Sequence, residues 1–312
     1  MRILIFGAGV CGSVLGAFLA KGGVDVTMLA RGQRYEEIKQ NGIILVDYQT
    51  SEQTIVQVPV ITEEEYDQNP VNFDFILAIL GHHQVEEAFP ILAKISPPAP
   101  IFFLGNNCSG PEDYIQGVGR ERVLLGMANA GGVRENGIIT YISPNFGKKI
   151  PLHLGEIDGK ITPRLRSFQV MLKTAGIRVK FLPNVDNFLK NHVAGLLPII
   201  EALYHENGDL TNLGKNKSII KLAVQATKEN FHALGALGIP GDSTKWIPSF
   251  FLVMLYSKFC RMHIAEIGLR GHAMSANGKE EMANLMKEFR KLIIQSQVPT
   301  PSFDKLSEGI GG

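Results

Sequence analysis

Gly7-Ala8-Gly9-Val10-Cys11-Gly12 is the stretch from which the fold is read. It matches Gly-x-Gly-x-x-Gly, follows the apolar run Ile3 to Phe6, and leads into Val14, Leu15, Phe18 and Leu19 at helical spacing. The apolar run has no polar face, as a central strand of a parallel sheet requires. The helix is expected to end at Lys21-Gly22-Gly23, where glycine can take the left-handed capping conformation. Val24 to Ala30 supplies a second strand, so residues 3–30 read as one β–α–β unit with a right-handed crossover. Each glycine then has its own task. Gly7 permits the tight turn, Gly9 lets a pyrophosphate approach the backbone, and Gly12 lets the helix pack close to the strand. The pyrophosphate meets the N–H groups and the positive dipole end of the helix. Cys11 reads as a small filler, because nothing near it in sequence lowers a thiol pKa.

The end of the second strand separates two cofactors. A carboxylate there would hold the ribose hydroxyls of NAD. The chain instead reads Leu29-Ala30-Arg31-Gly32-Gln33-Arg34. Guanidinium groups bind phosphate by planar, charge-assisted hydrogen bonds. Arg31 and Arg34 therefore point to a 2′-phosphate, and NADP(H) is the expected cofactor, held by Gly7, Ala8, Gly9, Val10, Cys11, Gly12, Arg31 and Arg34.

Farther along, Arg31 to Gln40 is read as a helix stopped by Asn41-Gly42. Ile43 to Val46 and Thr54 to Ile61 read as an antiparallel addition. Phe73 to Leu80 and Ile101 to Leu104 are buried strands, with a helix over Gln84 to Leu92 between them. Val123 to Ala130 and the hairpin-like runs Gly137 to Ile142 and Ile150 to Leu154 close this half. Strands alternating with helices predict an α/β fold, a Rossmann-type doubly wound parallel sheet. After Pro163 come a helix over Leu165 to Ala175, a short strand over Arg178 to Leu182, and then helical periods alone. Apolar stripes cover Val185 to Tyr204, Ile219 to Leu237, Ser249 to Ile267 and Lys279 to Gln295. The last includes Met282, Leu285, Met286, Phe289 and Ile293, which could close a core or face a twin subunit; core closure is the expectation. The boundary falls within about 160–183. We take residues 1–166 as a dinucleotide-binding domain and 167–312 as an all-helical domain closing a substrate cleft.

Composition excludes several function classes. The chain has 312 residues, 45% hydrophobic and 20% charged, which is globular and long enough for two domains. Its net charge of +1 sets up no field for nucleic acid or an anionic membrane. Cys11, Cys108 and Cys260 form no C-x-x-C pair, so neither zinc nor a disulfide framework is expected. The apolar run before Gly7 is too short for a signal peptide, and Val193 to Ile200 is less than half of the roughly 20 residues of a membrane span. A cytoplasmic protein is expected.

With these segments in view, the chain resembles the ketopantoate reductase (2-dehydropantoate 2-reductase) family. The resemblance is carried by Gly7 to Gly12 and Leu29 to Arg34, then Gln84-Val85, Gly105-Asn106, Asn207-Gly208-Asp209-Leu210, Ala265-Glu266-Ile267 and Val298-Pro299-Thr300-Pro301, in order over nearly the whole length. It implies NADPH-dependent reduction of a 2-oxo acid to a 2-hydroxy acid, ketopantoate to pantoate by default, as in pantothenate biosynthesis. Hydride would go to the carbonyl carbon while a cationic acid protonates the oxygen. The family uses a lysine early in the second domain, for which Lys190 is the nearest candidate, and desolvation there would lower its pKa. The resemblance also implies that Glu266 holds cofactor and substrate and assists catalysis. Asn106 would stand near the cofactor and substrate, and Asn207 would contact the substrate. The partner is a small 2-oxo acid, with a homodimer open.

The chain departs from the family pattern in its second half. Asparagines four and eight residues beyond the family lysine become Ala194 and Pro198 when counted from Lys190. Counting back from Asn207 puts Leu189, Val193 and Leu197 at the lysine and the asparagines, and one residue rotates a helix position by about 100°. Gly81-His82-His83 replaces a lysine after the Phe73 to Leu80 strand. Gly268-Leu269-Arg270-Gly271-His272 replaces Asp-Tyr-x-Asn-Gly, and an expected serine falls near Met254. Ala194, Leu197 and Pro198 are expected to form an apolar patch suited to a bulkier 2-oxo acid. Two other readings stay open: an NADPH-binding sensor or structural protein without catalysis, and a related two-domain dehydrogenase that oxidises a hydroxy acid or forms an amine.

Overall fold

The computed structural model describes residues 1–128, 130–142, 151–241, 247–262 and 265–308. The chain forms two compact units: Met1–Gly105 with Gly110–Asp186, and Asn106–Ser109 with Asn187–Gly312.

The first unit opens with β1 (Arg2–Phe6), α1 (Val10–Lys21), β2 (Asp25–Leu29) and α2 (Gly32–Asn41). There follow β3 (Ile43–Asp47), β4 (Gln53–Val56), β5 (Val60–Ile61), α3 (Glu63–Gln68), β6 (Phe75–Ala78), α4 (Val85–Lys94), β7 (Ile101–Leu104) and α5 (Glu112–Val118). The unit is completed by β8 (Val123–Met127), β9 (Gly132–Glu135), β10 (Ile138–Tyr141), β11 (Leu152–Glu156), α6 (Pro163–Thr174) and β12 (Val179–Phe181).

An eight-stranded sheet runs β12-β11-β8-β7-β6-β1-β2-β5. All pairs from β8 to β5 are parallel, and β11 enters antiparallel to β8. The doubly wound expectation holds, because β1 is flanked by β2 on one side and β6 on the other. The chain thus reverses its winding direction at β1, and open parallel sheets bind ligands outside the carboxyl ends of strands at such a point. Apart from Arg2 at the start of β1, strands β1, β6 and β7 are apolar and buried.

Three expectations are corrected. Thr54 to Ile61 is two strands: β4 pairs antiparallel with β3 in a separate four-stranded sheet, whereas β5 extends the main sheet beside β2. The run Gly137 to Ile142 holds β10, which forms the expected hairpin with β9 and lies between β9 and β3 in that smaller sheet. Ile150 lies outside the described residues; the rest of its run is β11, a member of the main sheet rather than of a hairpin. The division between units falls at Asp186 rather than 166, because β12 pairs with β11 and Phe168 of α6 stacks on Phe102 of β7.

The second unit is helical: α7 (Val185–His205, whose first two residues belong to the first unit), α8 (Leu210–Lys215), α9 (Lys217–Ala236), α10 (Ser249–Phe259), a π-helical turn (Ala265–Arg270), α11 (Gly271–Ala273), α12 (Ala276–Ser296) and α13 (Pro301–Ser307). Its core gathers Val193, Leu197, Leu234, Phe289 and Phe303. Met282, Leu285, Phe289 and Ile293 are buried in it, so the α12 stripe closes the core as expected. Cys108 explains why Asn106–Ser109 goes with this unit: its side chain is buried in the same core. No described helix is long and apolar enough to cross a membrane.

Candidate active site

In the first unit, the glycine loop lies between β1 and α1. Gly7 has φ +112°, and a Cβ there would stand 2.2 Å from the Ile79 carbonyl oxygen. A Cβ on Gly12 would stand 1.9 Å from the Gly7 oxygen. Both glycines are therefore required by the fold itself. Gly9 is different. It is the N-cap of α1, has extended φ/ψ, and a Cβ on it would meet nothing within 4 Å. Glycine is needed at this position for no contact inside the protein, and the open space lies at the end of α1, where the first N–H groups have no intrahelical acceptor. These residues fit a bound pyrophosphate. Cys11 is half-buried, and its thiol donates to the Ala130 carbonyl at 3.0 Å.

The two arginines after β2 have separate fates. Arg31 is exposed at the N-cap of α2 and makes no hydrogen bond or ion pair to another described residue. Arg34 is buried. Its Nε donates to the Ala8 carbonyl at 3.0 Å, and its terminal nitrogens donate to Ser13 Oγ at 3.0 Å and Glu37 at 2.9 Å. Burial pulls its pKa down, partly offset by Glu37. The expected pair of phosphate ligands is thus one exposed guanidinium and one that ties α2 to the glycine loop. His82 and His83 occupy a 3₁₀ turn between β6 and α4 and are half-buried.

In the second unit the expected residues lie in or beside two hydrogen-bonded groups, each containing residues that were not expected. Asn207, exposed at φ +51°, and Gly208 make the turn after α7. The Gly208 carbonyl accepts from Arg270 Nε at 2.8 Å, and the same guanidinium donates to Glu266 Oε1 at 2.5 Å. The π-helical turn brings Glu266 and Arg270 onto one face. Next to it His272 pairs through Nε2 with Glu281 at 3.0 Å. The other oxygen of Glu281 accepts from Asn106 Nδ2 at 2.8 Å. Burial works to lower the His272 pKa, but the hydrogen bond and charge of Glu281 prevail and raise it. Arg270, His272 and Glu281 were not among the expected site residues. A buried carboxylate on the apolar side of α12 was the available signal, since such a group needs partners.

Lys190 is half-buried near the start of α7, and between residues 190 and 205 an α-helix rises about 22 Å. Leu189, Val193 and Leu197 are all buried, so the face that the resemblance would give to a lysine and asparagines carries apolar side chains. The expected apolar substrate patch is corrected too. Ala194 and Leu197 fill the core, Pro198 is buried, and the Ala194 carbonyl accepts from Asn230.

Residues 3–154 match the family model described as ketopantoate reductase PanE/ApbA. A 2-dehydropantoate 2-reductase of Archaeoglobus fulgidus is 21% identical over 281 residues, 89% of this chain and 88% of that protein. The enzyme of that name from Listeria innocua is 26% identical over 168 residues, and the match spans 54% of each, about half the length of that relative. Among solved structures, 2-dehydropantoate 2-reductase from Geobacter metallireducens superposes with a TM-score of 0.77 at 18% identity, covering 99% of this chain and 98% of that one. D-mandelate dehydrogenase, solved with NADH and anilino(oxo)acetate, gives 0.79 at 15% identity, covering 99% and 96%.

Proposed function

We propose that the protein, whose residues 3–154 match the family model of ketopantoate reductase, is an NADPH-dependent reductase converting a 2-oxo acid to a 2-hydroxy acid, with ketopantoate as the default substrate. The observation that carries this reading is the open space at Gly9, at the N-terminus of α1. Reduced nicotinamide, when bound, supplies a hydride for the substrate carbonyl carbon. The protein's own residues do the rest. Gly7, Ala8, Gly9, Val10, Cys11 and Gly12 present backbone N–H groups to the pyrophosphate. Arg31 meets the 2′-phosphate, and Arg34 acts on the cofactor indirectly by holding the Ala8 carbonyl. Asn106, Glu266 and Asn207 orient the nicotinamide end and the substrate, and a protonated side chain, Lys190 by resemblance, delivers the proton to the carbonyl oxygen. The protein acts in the cytoplasm and in pantothenate biosynthesis on this reading.

The test has two steps. Calorimetry should show NADPH binding more tightly than NADH, and NADPH oxidation should then be followed with a panel of 2-oxo acids that includes ketopantoate. Failure to bind either dinucleotide removes the enzyme reading. The buried apolar positions Leu189, Val193 and Leu197 favour a second reading, an NADPH-binding protein that senses rather than catalyses. Tight NADPH binding with no turnover of any 2-oxo acid would support it. If turnover exists and survives Lys190→Ala unchanged, the proton comes from another group.

A further inference from the structure

We propose that Glu281 is a positioning residue for Asn106, fixing its carboxamide so that the oxygen is offered to a hydrogen-bond donor on the bound dinucleotide. The inference deepens the reading above and rests on it. Three observations on the second unit carry it. Glu281 is buried, its side chain only 6% exposed, and accepts from Asn106 on one oxygen and from His272 on the other. An ionised carboxylate can only accept, so the nitrogen of the Asn106 amide must face Glu281 and the oxygen must turn away. That oxygen, Oδ1, is buried and has no hydrogen-bond partner among the described residues. A buried amide oxygen without a donor is costly, and native structures keep few of them without a reason.

The segment leaves little else to set this orientation. Asn107 Oδ1 accepts from Ser109 N at 2.8 Å, the Cys108 side chain is buried in the helical core, and Ser109 Oγ donates to Glu288. With the backbone tied down, the remaining freedom of Asn106 is the rotation of its side chain, and Glu281 holds it. His272 Nε2 stands 3.0 Å from the second oxygen of Glu281, and a donor on each oxygen suits the ionised, accept-only carboxylate. The chemistry also selects the ligand. A 2-oxo acid presents only acceptors at its carbonyl and carboxylate, whereas a dinucleotide carries ribose hydroxyls and a carboxamide N–H₂. We take a donor of the dinucleotide as the partner of Asn106 Oδ1, and binding of the dinucleotide alone, without substrate, tests it.

Glu281→Gln tests this in the full-length protein. A glutamine can donate as well as accept, so the Asn106 amide is released to turn over. We expect NADPH affinity by calorimetry to fall about tenfold, the size of one lost hydrogen bond of this kind. KM for NADPH should rise with kcat within about twofold. Asn106→Ala should weaken binding similarly, and adding Glu281→Gln to it should cost little more. An equal further loss in that background, or unchanged affinity in Glu281→Gln alone, overturns the inference while leaving the dinucleotide reading intact. The parent protein offers a second measurement. The Asn106 side-chain N–H₂ signals in ¹⁵N NMR should shift on NADPH addition, and no shift despite calorimetric binding also overturns it. If the parent binds no dinucleotide, both readings fall together.

Discussion

Gly9 and Gly12 stand in one loop under opposite demands. Gly12 is held by the protein, since its Cβ would collide with the Gly7 carbonyl; Gly9 has room to spare. Gly9→Ala should therefore fold with a stability loss within about 1 kcal/mol, from the poorer N-cap, yet weaken NADPH binding at least tenfold. Gly12→Ala should lose about 1–3 kcal/mol or more through overpacking. Denaturant midpoints together with calorimetry separate the two outcomes. A second residue-scale expectation concerns Glu201, a buried carboxyl on α7. Burial pushes its pKa up to about 7 from 4.5, against the opposing charge of Arg290. A group whose folded pKa lies above its unfolded value contributes stability that is fully present below the unfolded pKa and lost as pH rises through the folded one. Glu201→Gln should thus raise stability at pH 8 by at most about 3 kcal/mol and change little near pH 4. Urea midpoints at the two pH values check this; a loss of stability at pH 8 would contradict it. Neither the space at Gly9 nor the burial of Glu201 is visible in a motif, because both depend on atoms far away in sequence.

At the scale of elements, α2 shows how a short helix can combine two roles. The turn that leaves β2 exposes Arg31, and the next turn buries Arg34 beneath the glycine loop. Arg31→Ala should leave stability within about 0.5 kcal/mol and abolish any preference of NADPH over NADH. Arg34→Ala leaves the Ala8 carbonyl without its charged donor and should cost about 1–3 kcal/mol, with both dinucleotides weakened alike. Thermal melts and calorimetry on the two variants distinguish a phosphate ligand from a scaffold. From sequence the two arginines looked equivalent, since helical phase at a helix start is uncertain by a residue or two. The split of Thr54 to Ile61 has a local cause that was legible. Pro59 lacks an N–H and cannot continue the β4 ladder, while its carbonyl accepts from Met28 N and starts the pairing of β5. Helix α3 was likewise signalled by a capping box, in which Thr62 accepts from Glu65 N and Glu65 accepts from Thr62 N.

At the scale of the whole molecule, binding should register as stability. If NADPH occupies the loop of the first unit, then a concentration of 100 times its Kd should stabilise that unit by about 2.7 kcal/mol, and NADH at equal concentration by less. Scanning calorimetry with each dinucleotide reads this directly, and equal melting curves with and without NADPH would refute it. The sequence by itself determined the architecture of both units: the β1–loop–α1–β2 order, the parallel sheet and the long helices. Such features follow from local periodicity and from glycines whose backbone demands are short-range. It also identified the chemistry expected at Gly7 to Gly12 and after β2. Only the tertiary structure decided which side chains meet. Asn106 follows a strand of the first unit yet packs with the second. Its partner Glu281 and that residue's partner His272 come from segments near the other end of the chain. Leu189, Val193 and Leu197 turned out to be buried rather than open to a ligand. The physical reason is that a hydrogen bond or a buried face between distant segments is selected by the free energy of packing the whole unit, and no local run of residues encodes it.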